Sequence, residues 1–193
     1  MLNLVLASKS KVRREILEKN GFLCEVKPSN IDEEPVKKSL VQEGASPEII
    51  SKNLAELKAN KVSEKFYEKI VLGADSIIDL NNEVISKPTN REEAMQILKL
   101  LNGKTHFLIS SVCVSKNGSM IWNYTDRATL KMKQMSNEQL KIYLSKISDE
   151  ALYSYNVYQI EGVGKELFED IVGDKSTIMG LPIKKLKEYL ITL

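Results

Sequence analysis

Eight polar side chains stand at the ends of apolar runs along this chain: Ser8, Ser10, Arg13, Glu33, Lys58, Asp75, Lys87 and Glu161. The set holds three cations and three carboxylates. Hydrolysis of a polyphosphate needs that balance, because cations neutralise phosphate charge as the bond breaks, while carboxylates hold a hard divalent ion and activate water. Taken one at a time, each residue has a plainer reading. Asp75 can cap a turn, Glu33 can be one of several loop carboxylates, and Lys58 can snorkel from an apolar face. Other chemistries lack their residues: there is a single histidine, His106, which reads as a structural strand residue, and no Gly-x-Ser-x-Gly, Cys-x-x-Cys or His-Glu-x-x-His occurs. Neither a P-loop nor a Gly-x-Gly-x-x-Gly turn is present, so a phosphate site here is of another kind.

The first of these residues sit where a phosphate would be favoured. Leu4-Val5-Leu6-Ala7 reads as a strand, Ser8-Lys9-Ser10 as a turn, and Ile16, Leu17 and Leu23 continue with helical spacing. Ser10 is an N-cap, which crowds Lys9, Lys11, Arg13 and Arg14 at a helix start where the backbone dipole disfavours cations and free N–H groups attract anions. The plainer alternative is a first strand followed by a solvated basic helix face.

Further along, Cys24-Glu25-Val26 reads as a short strand and Ser29 to Pro35, with Asp32, Glu33 and Glu34, as an acidic loop. Ser46-Pro47 starts a helix that carries Lys58 on its apolar stripe. Ile70-Val71-Leu72, broken by Gly73-Ala74, is expected to be a buried strand whose carboxyl end delivers Asp75. Two strands around Asn81-Asn82 form a hairpin, which leads into Lys87-Pro88 and then a helix opened by a Thr89/Glu92 capping box and closed by Asn102-Gly103. A second hairpin turns at Lys116 to Ser119, and Ser136 with Gln139 caps the next helix. Ile178 to Leu181 is expected as a last strand, followed by a terminal helix with Leu186, Tyr189, Leu190 and Leu193 facing inward.

Composition narrows the partners. With 193 residues, 42% hydrophobic and 28% charged, the chain is long enough for one cored domain spanning residues 1–193. A net charge of +2 spread along the chain gives no general nucleic-acid surface, although Lys184, Lys185 and Lys187 keep a nucleic-acid module as a third reading. Cys24 and Cys113 read as free thiols of a reducing, cytoplasmic compartment. No apolar run approaches the roughly 18 residues of a membrane span, and no secretory leader is apparent.

Several motifs, in order, resemble the Maf family of nucleoside triphosphate pyrophosphatases, once studied as septum-formation inhibitors. Leu6-Ala7-Ser8-Lys9-Ser10 with Arg13, Asp32-Glu33, Leu54-Ala55-x-x-Lys58-Ala59, Gly73-Ala74-Asp75-Ser76, Lys87-Pro88 and Gly180-Leu181-Pro182 are similar to that family's motifs from end to end. The resemblance implies an α/β fold, a mixed twisted sheet with flanking helices in two lobes around a central cleft. It also implies a metal-dependent (Mg²⁺ or Mn²⁺) hydrolase that converts a nucleoside triphosphate to monophosphate and pyrophosphate, limits non-standard nucleotides, is linked to cell division arrest and can form a homodimer. On it, Asp75 is the proton acceptor, Glu33 and Asp75 hold the metal, and Ser8, Ser10, Arg13, Lys58 and Lys87 bind phosphate.

Base specificity on the same resemblance falls to Val12, Ser76 and Glu161. Glu161 and Leu167-Phe168-Glu169 are similar to the subgroup that acts on 7-methyl-GTP, whereas Ser76 is similar to the dTTP/UTP subgroup and Val12 matches neither. A glutamate acceptor suits the N1–H and N2–H donors of guanine. Lys11 and Val12 depart from the family's Pro-Arg, which leaves room for a non-enzymatic nucleotide-binding regulator of cell division as the alternative.

Overall fold

Leu4–Leu6 forms a strand, β1, in the computed structural model, which describes residues 4–149, 151–152 and 156–193. It lies parallel to β2 (Cys24–Val26) on one side and to β3 (Ile70–Leu80) on the other, and all three of its residues are buried. A strand paired on both edges and covered on both faces should be apolar throughout, as this one is.

The chain folds as two compact units, the first made of residues 1–77, 109–127 and 174–193 and the second of residues 78–108 and 128–173. In the first, the strand order is β2-β1-β3 followed by β5 (Thr105–Lys116) and β6 (Ser119–Met132), both of which continue into the second unit. Alternation along β1 divides the core. Leu4 and Leu6 join Ile16 and Leu17 of α1 (Lys11–Lys19) and Leu186 and Leu190 of the terminal helix Ile183–Leu190, while Val5 and Ala7 join Val62 of α3 (Pro47–Ser63). Helices therefore cover both faces of the sheet, an α/β arrangement.

In the second unit, Asn81 and Asn82 take φ of 56° and 67° at the turn between β3 and β4 (Glu83–Ile85). Positive φ at both positions is what a two-residue hairpin requires. α4 (Arg91–Leu101), α5 (Asn137–Ser145, with its Ser136/Gln139 capping box) and β7 (Phe168–Val172), paired with the end of β6, complete that unit. No helix among the described residues is long and apolar enough to cross a membrane.

Four local expectations are corrected. The acidic segment read as a loop becomes a helix from Glu33, α2 (Glu33–Gln42), because Glu33 and Glu34 suit the positive end of the dipole and Pro35 costs no hydrogen bond in a first turn. Asn90, not Thr89, caps α4: its Oδ1 accepts the Glu93 N–H at 2.8 Å, while Thr89 is held by the Glu93 carboxylate at 2.7 and 2.8 Å. The last strand is absent. Asp174 instead caps a short helix, Lys175–Ile178, by accepting from the Ser176 N–H. The terminal helix then stops at Leu190, so Leu193 lies beyond it with 51% of its surface exposed.

His106 is fully buried in the second unit, its Nε2 2.9 Å from the Tyr158 hydroxyl and its ring beside Tyr158 and Phe168. Burial pushes its pKa from 6.5 down to about 4. Between those pH values the unfolded chain binds a proton that the folded one does not, so stability falls as pH drops through this window and is fully present above it. Urea unfolding should show a stability loss between pH 7 and pH 4 that is smaller by about 3 kcal/mol in His106→Phe than in the parent.

Candidate active site

Lys58 lies in the middle of α3 on the face that meets the sheet, and a buried lysine demands counter-charge. It finds two. The Nζ donates to Asp75 Oδ1 at 2.8 Å and sits 2.9 Å from Glu33 Oε1, which joins α2, α3 and β3 in one cluster. Asp75 is not at the carboxyl end of a strand as expected: β3 continues through it to Leu80.

Gly73 makes this geometry possible. Two residues before Asp75, it faces α3 so closely that a Cβ would collide with the Ala55 carbonyl oxygen and lie 2.6 Å from the Ala59 amide nitrogen. Those are backbone atoms and cannot turn aside. Gly73→Ala should therefore cost about 1–3 kcal/mol by forcing α3 off the sheet, seen as a lower urea midpoint with unchanged m.

Arg13 projects from the first turn of α1 and is half-buried. Its Nε donates to the Gly180 carbonyl at 2.8 Å, Nη1 to Ser8 Oγ at 3.2 Å and the Ala74 carbonyl at 2.9 Å, and Nη2 to Ser76 Oγ at 3.1 Å. Four of the five guanidinium N–H donors are thus committed within the chain. Burial lowers the Arg13 pKa, and the charges of Asp75 and Glu33 pull it back up. Arg13 brings positive charge to the site while tying Ser8, β3 and the Gly180 turn together.

Ser8 Oγ also accepts from the Ser10 amide at 3.2 Å, and Ser10 Oγ accepts from the Arg13 amide at 3.3 Å. The hydroxyl of Ser76 lies 2.9 Å from that of Ser110, which donates to the Thr177 carbonyl at 2.8 Å. With the Ser110 proton used, Ser76 must be the donor to Ser110. No sequence motif marks Ser110 or the Gly180 carbonyl as part of the site; a polar Ser110 in the apolar stretch of β5 is the available signal for the first. Gly180, at φ +93°, leaves room where a Cβ would come within 3.0 Å of Ser76 Oγ.

Ser8, Ser10, Arg13, Glu33, Lys58, Asp75 and Ser76 all belong to the first unit, and Lys87 and Glu161 to the second. Lys87 is exposed beside buried Pro88, and Glu161 is exposed in a turn ahead of the 3₁₀ segment Val163–Leu167. Val12 packs against the core around Leu4 and Leu6.

The described residues contain no group of three or more side chains suited to a metal. Asp75 Oδ2, however, is buried without a hydrogen-bond partner, beside Glu33. One or two carboxylates suffice for Mg²⁺ when substrate phosphates and water complete its shell, so the donor set fits such an ion.

A family model described as Maf-like protein matches residues 3–193. A nucleoside triphosphate pyrophosphatase of Pelagibacter ubique (strain HTCC1062) is 65% identical over 187 residues, 97% of this chain and 96% of that protein. A 7-methyl-GTP pyrophosphatase of Rhizobium etli is 38% identical over 183 residues (95% and 92%), and one of Bartonella henselae 42% identical over 183 residues (95% and 91%). Among solved structures, a HAM1 protein from Coxiella burnetii superposes with a TM-score of 0.55 over the whole of both chains at 12% identity, a likeness of fold.

Proposed function

Since the chain belongs to the Maf-like protein family, we propose that it hydrolyses a nucleoside triphosphate to the monophosphate and pyrophosphate. The observation that carries this reading is the buried Lys58–Asp75–Glu33 cluster, with the free Asp75 oxygen and the Arg13 guanidinium nearby.

In this mechanism Asp75 takes a proton from water at Oδ2, the oxygen left over when Oδ1 is held by Lys58. The water oxygen bonds to the α-phosphorus as the bridge to the β-phosphorus breaks, and pyrophosphate leaves with the electron pair. Lys58 holds Asp75 in place through its bond to Oδ1. Ser8 and Ser10 are donors for phosphate oxygens, and Arg13 offers its charge and its one uncommitted N–H. A divalent cation held by Glu33 and Asp75 would neutralise phosphate charge.

For the base, the relatives named 7-methyl-GTP pyrophosphatase support guanine or its methylated form. Removal of modified nucleotides ahead of polymerases is the role that follows. Pyrophosphate release should be measured from 7-methyl-GTP, GTP, dTTP and UTP with Mg²⁺, with Mn²⁺ and with chelator. The expected result is cation-dependent release, fastest from 7-methyl-GTP. Release from none of them at any cation concentration overturns the activity, and rapid dTTP and UTP turnover beside inert guanine nucleotides overturns the base.

A further inference from the structure

A hollow of about 370 Å³ opens in the first unit between the chain after β2 and the last turns of α3. Its charged lining is entirely basic: Lys27, Lys61 and Lys65, with Ser29 and Asn30 adding polar groups and Phe66 forming part of the wall. Lys69 stands at its edge, its Nζ 5.3 Å from the centre of the Phe66 ring, with that of Lys27 at 5.7 Å. Glu25 pairs with both Lys27 and Lys69, at 2.9 and 2.8 Å. Lys61 and Lys65 make no ion pair among the described residues; Lys61 has a long bond, 3.4 Å, to the Asn30 carbonyl.

Lys61 and Lys65, four residues apart, repel one another, and the two further lysines nearby, Lys27 and Lys69, share the one carboxylate of Glu25, so four cations face a single counter-charge. The end of the helix dipole favours Lys61 alone and does not account for Lys27 converging from the chain after β2. A multivalent anion relieves all of them together. Lysines present point charges on flexible stems, which suits phosphate oxygens in several orientations, and Ser29 and Asn30 can add neutral donors. The cavity is ample for two or three linked phosphates with water around them.

We propose that this hollow is a second anion site, built for inorganic pyrophosphate or a short polyphosphate. None of its residues belongs to the Lys58–Asp75 cluster, so the site can be tested whether or not the chain hydrolyses nucleotides.

The full-length protein, labelled with ¹⁵N, is titrated with sodium pyrophosphate, tripolyphosphate and orthophosphate while amide shifts are followed. Pyrophosphate and tripolyphosphate should shift Lys27, Ser29, Asn30 and the amides from Lys61 to Phe66, at least tenfold more tightly than orthophosphate and less tightly as salt rises. Lys61→Ala/Lys65→Ala, two exposed positions that fold without strain, should weaken those shifts at least tenfold and leave any at Ser8 to Arg13 unchanged. Lys61→Arg/Lys65→Arg should retain them. The proposal is overturned if the hollow's amides do not respond at millimolar pyrophosphate, if the alanine variant responds like the parent, or if orthophosphate binds equally well.

Discussion

Asp75→Asn is expected to lower nucleoside triphosphate turnover by about 10³-fold, with kcat falling and KM little changed. The substitution keeps shape and leaves an oxygen for Lys58 to reach, since the bond at 2.8 Å uses Oδ1 alone. What it removes is the proton acceptor at Oδ2. Lys58 retains Glu33 at 2.9 Å as a counter-ion, so the fold should survive, and circular dichroism with a urea midpoint checks that it does. Turnover within tenfold of the parent in a folded Asp75→Asn protein excludes Asp75 as the base.

Lys58→Met has the largest expected effect on stability. It leaves Asp75, whose side chain is only 7% exposed, as a buried carboxylate without its cation, at a cost of about 3–5 kcal/mol. Glu33 suffers less, being 34% exposed and able to turn to water. The partner substitution decides whether the cost is the stranded charge or lost packing. Lys58→Met/Asp75→Val removes both charges and should regain most of the loss, although neither protein should turn over nucleotide. Additive losses in a double-mutant cycle from urea unfolding, with no recovery, point to packing as the cause.

These two predictions rest on features of different legibility. Lys58 and Asp75 were visible as a lysine on an apolar stripe and a carboxylate beside a glycine, yet the pairing of residues 17 positions apart depends on how closely α3 approaches β3. Gly73 controls that approach, but in the sequence the same Gly73-Ala74 reads as the end of a strand. A glycine can end an element or let another backbone come near, and only the neighbour tells which. The acidic segment at Asp32 to Pro35 was open in the same way, since acids and proline suit both loops and first helical turns.

Arg13 carries this furthest. Its position at a capped helix start was readable, but its acceptors come from Ser8, Ala74, Ser76 and Gly180. Three of them lie more than 60 residues away, two being backbone carbonyls that no side-chain motif announces.

What the sequence determined by itself was a set of features closed within about four residues: the caps at Ser10, Ser46 and Ser136 and the Asn81-Asn82 turn. Their partners lie next along the chain, so the side chains alone specify them. The tertiary structure alone decided which charges share a buried site, that β3 runs on past Asp75, and that residues 175–178 coil into a helix. Desolvating Lys58 beside two carboxylates is favourable only when three separate elements arrive together, and that convergence is a property of the packed fold.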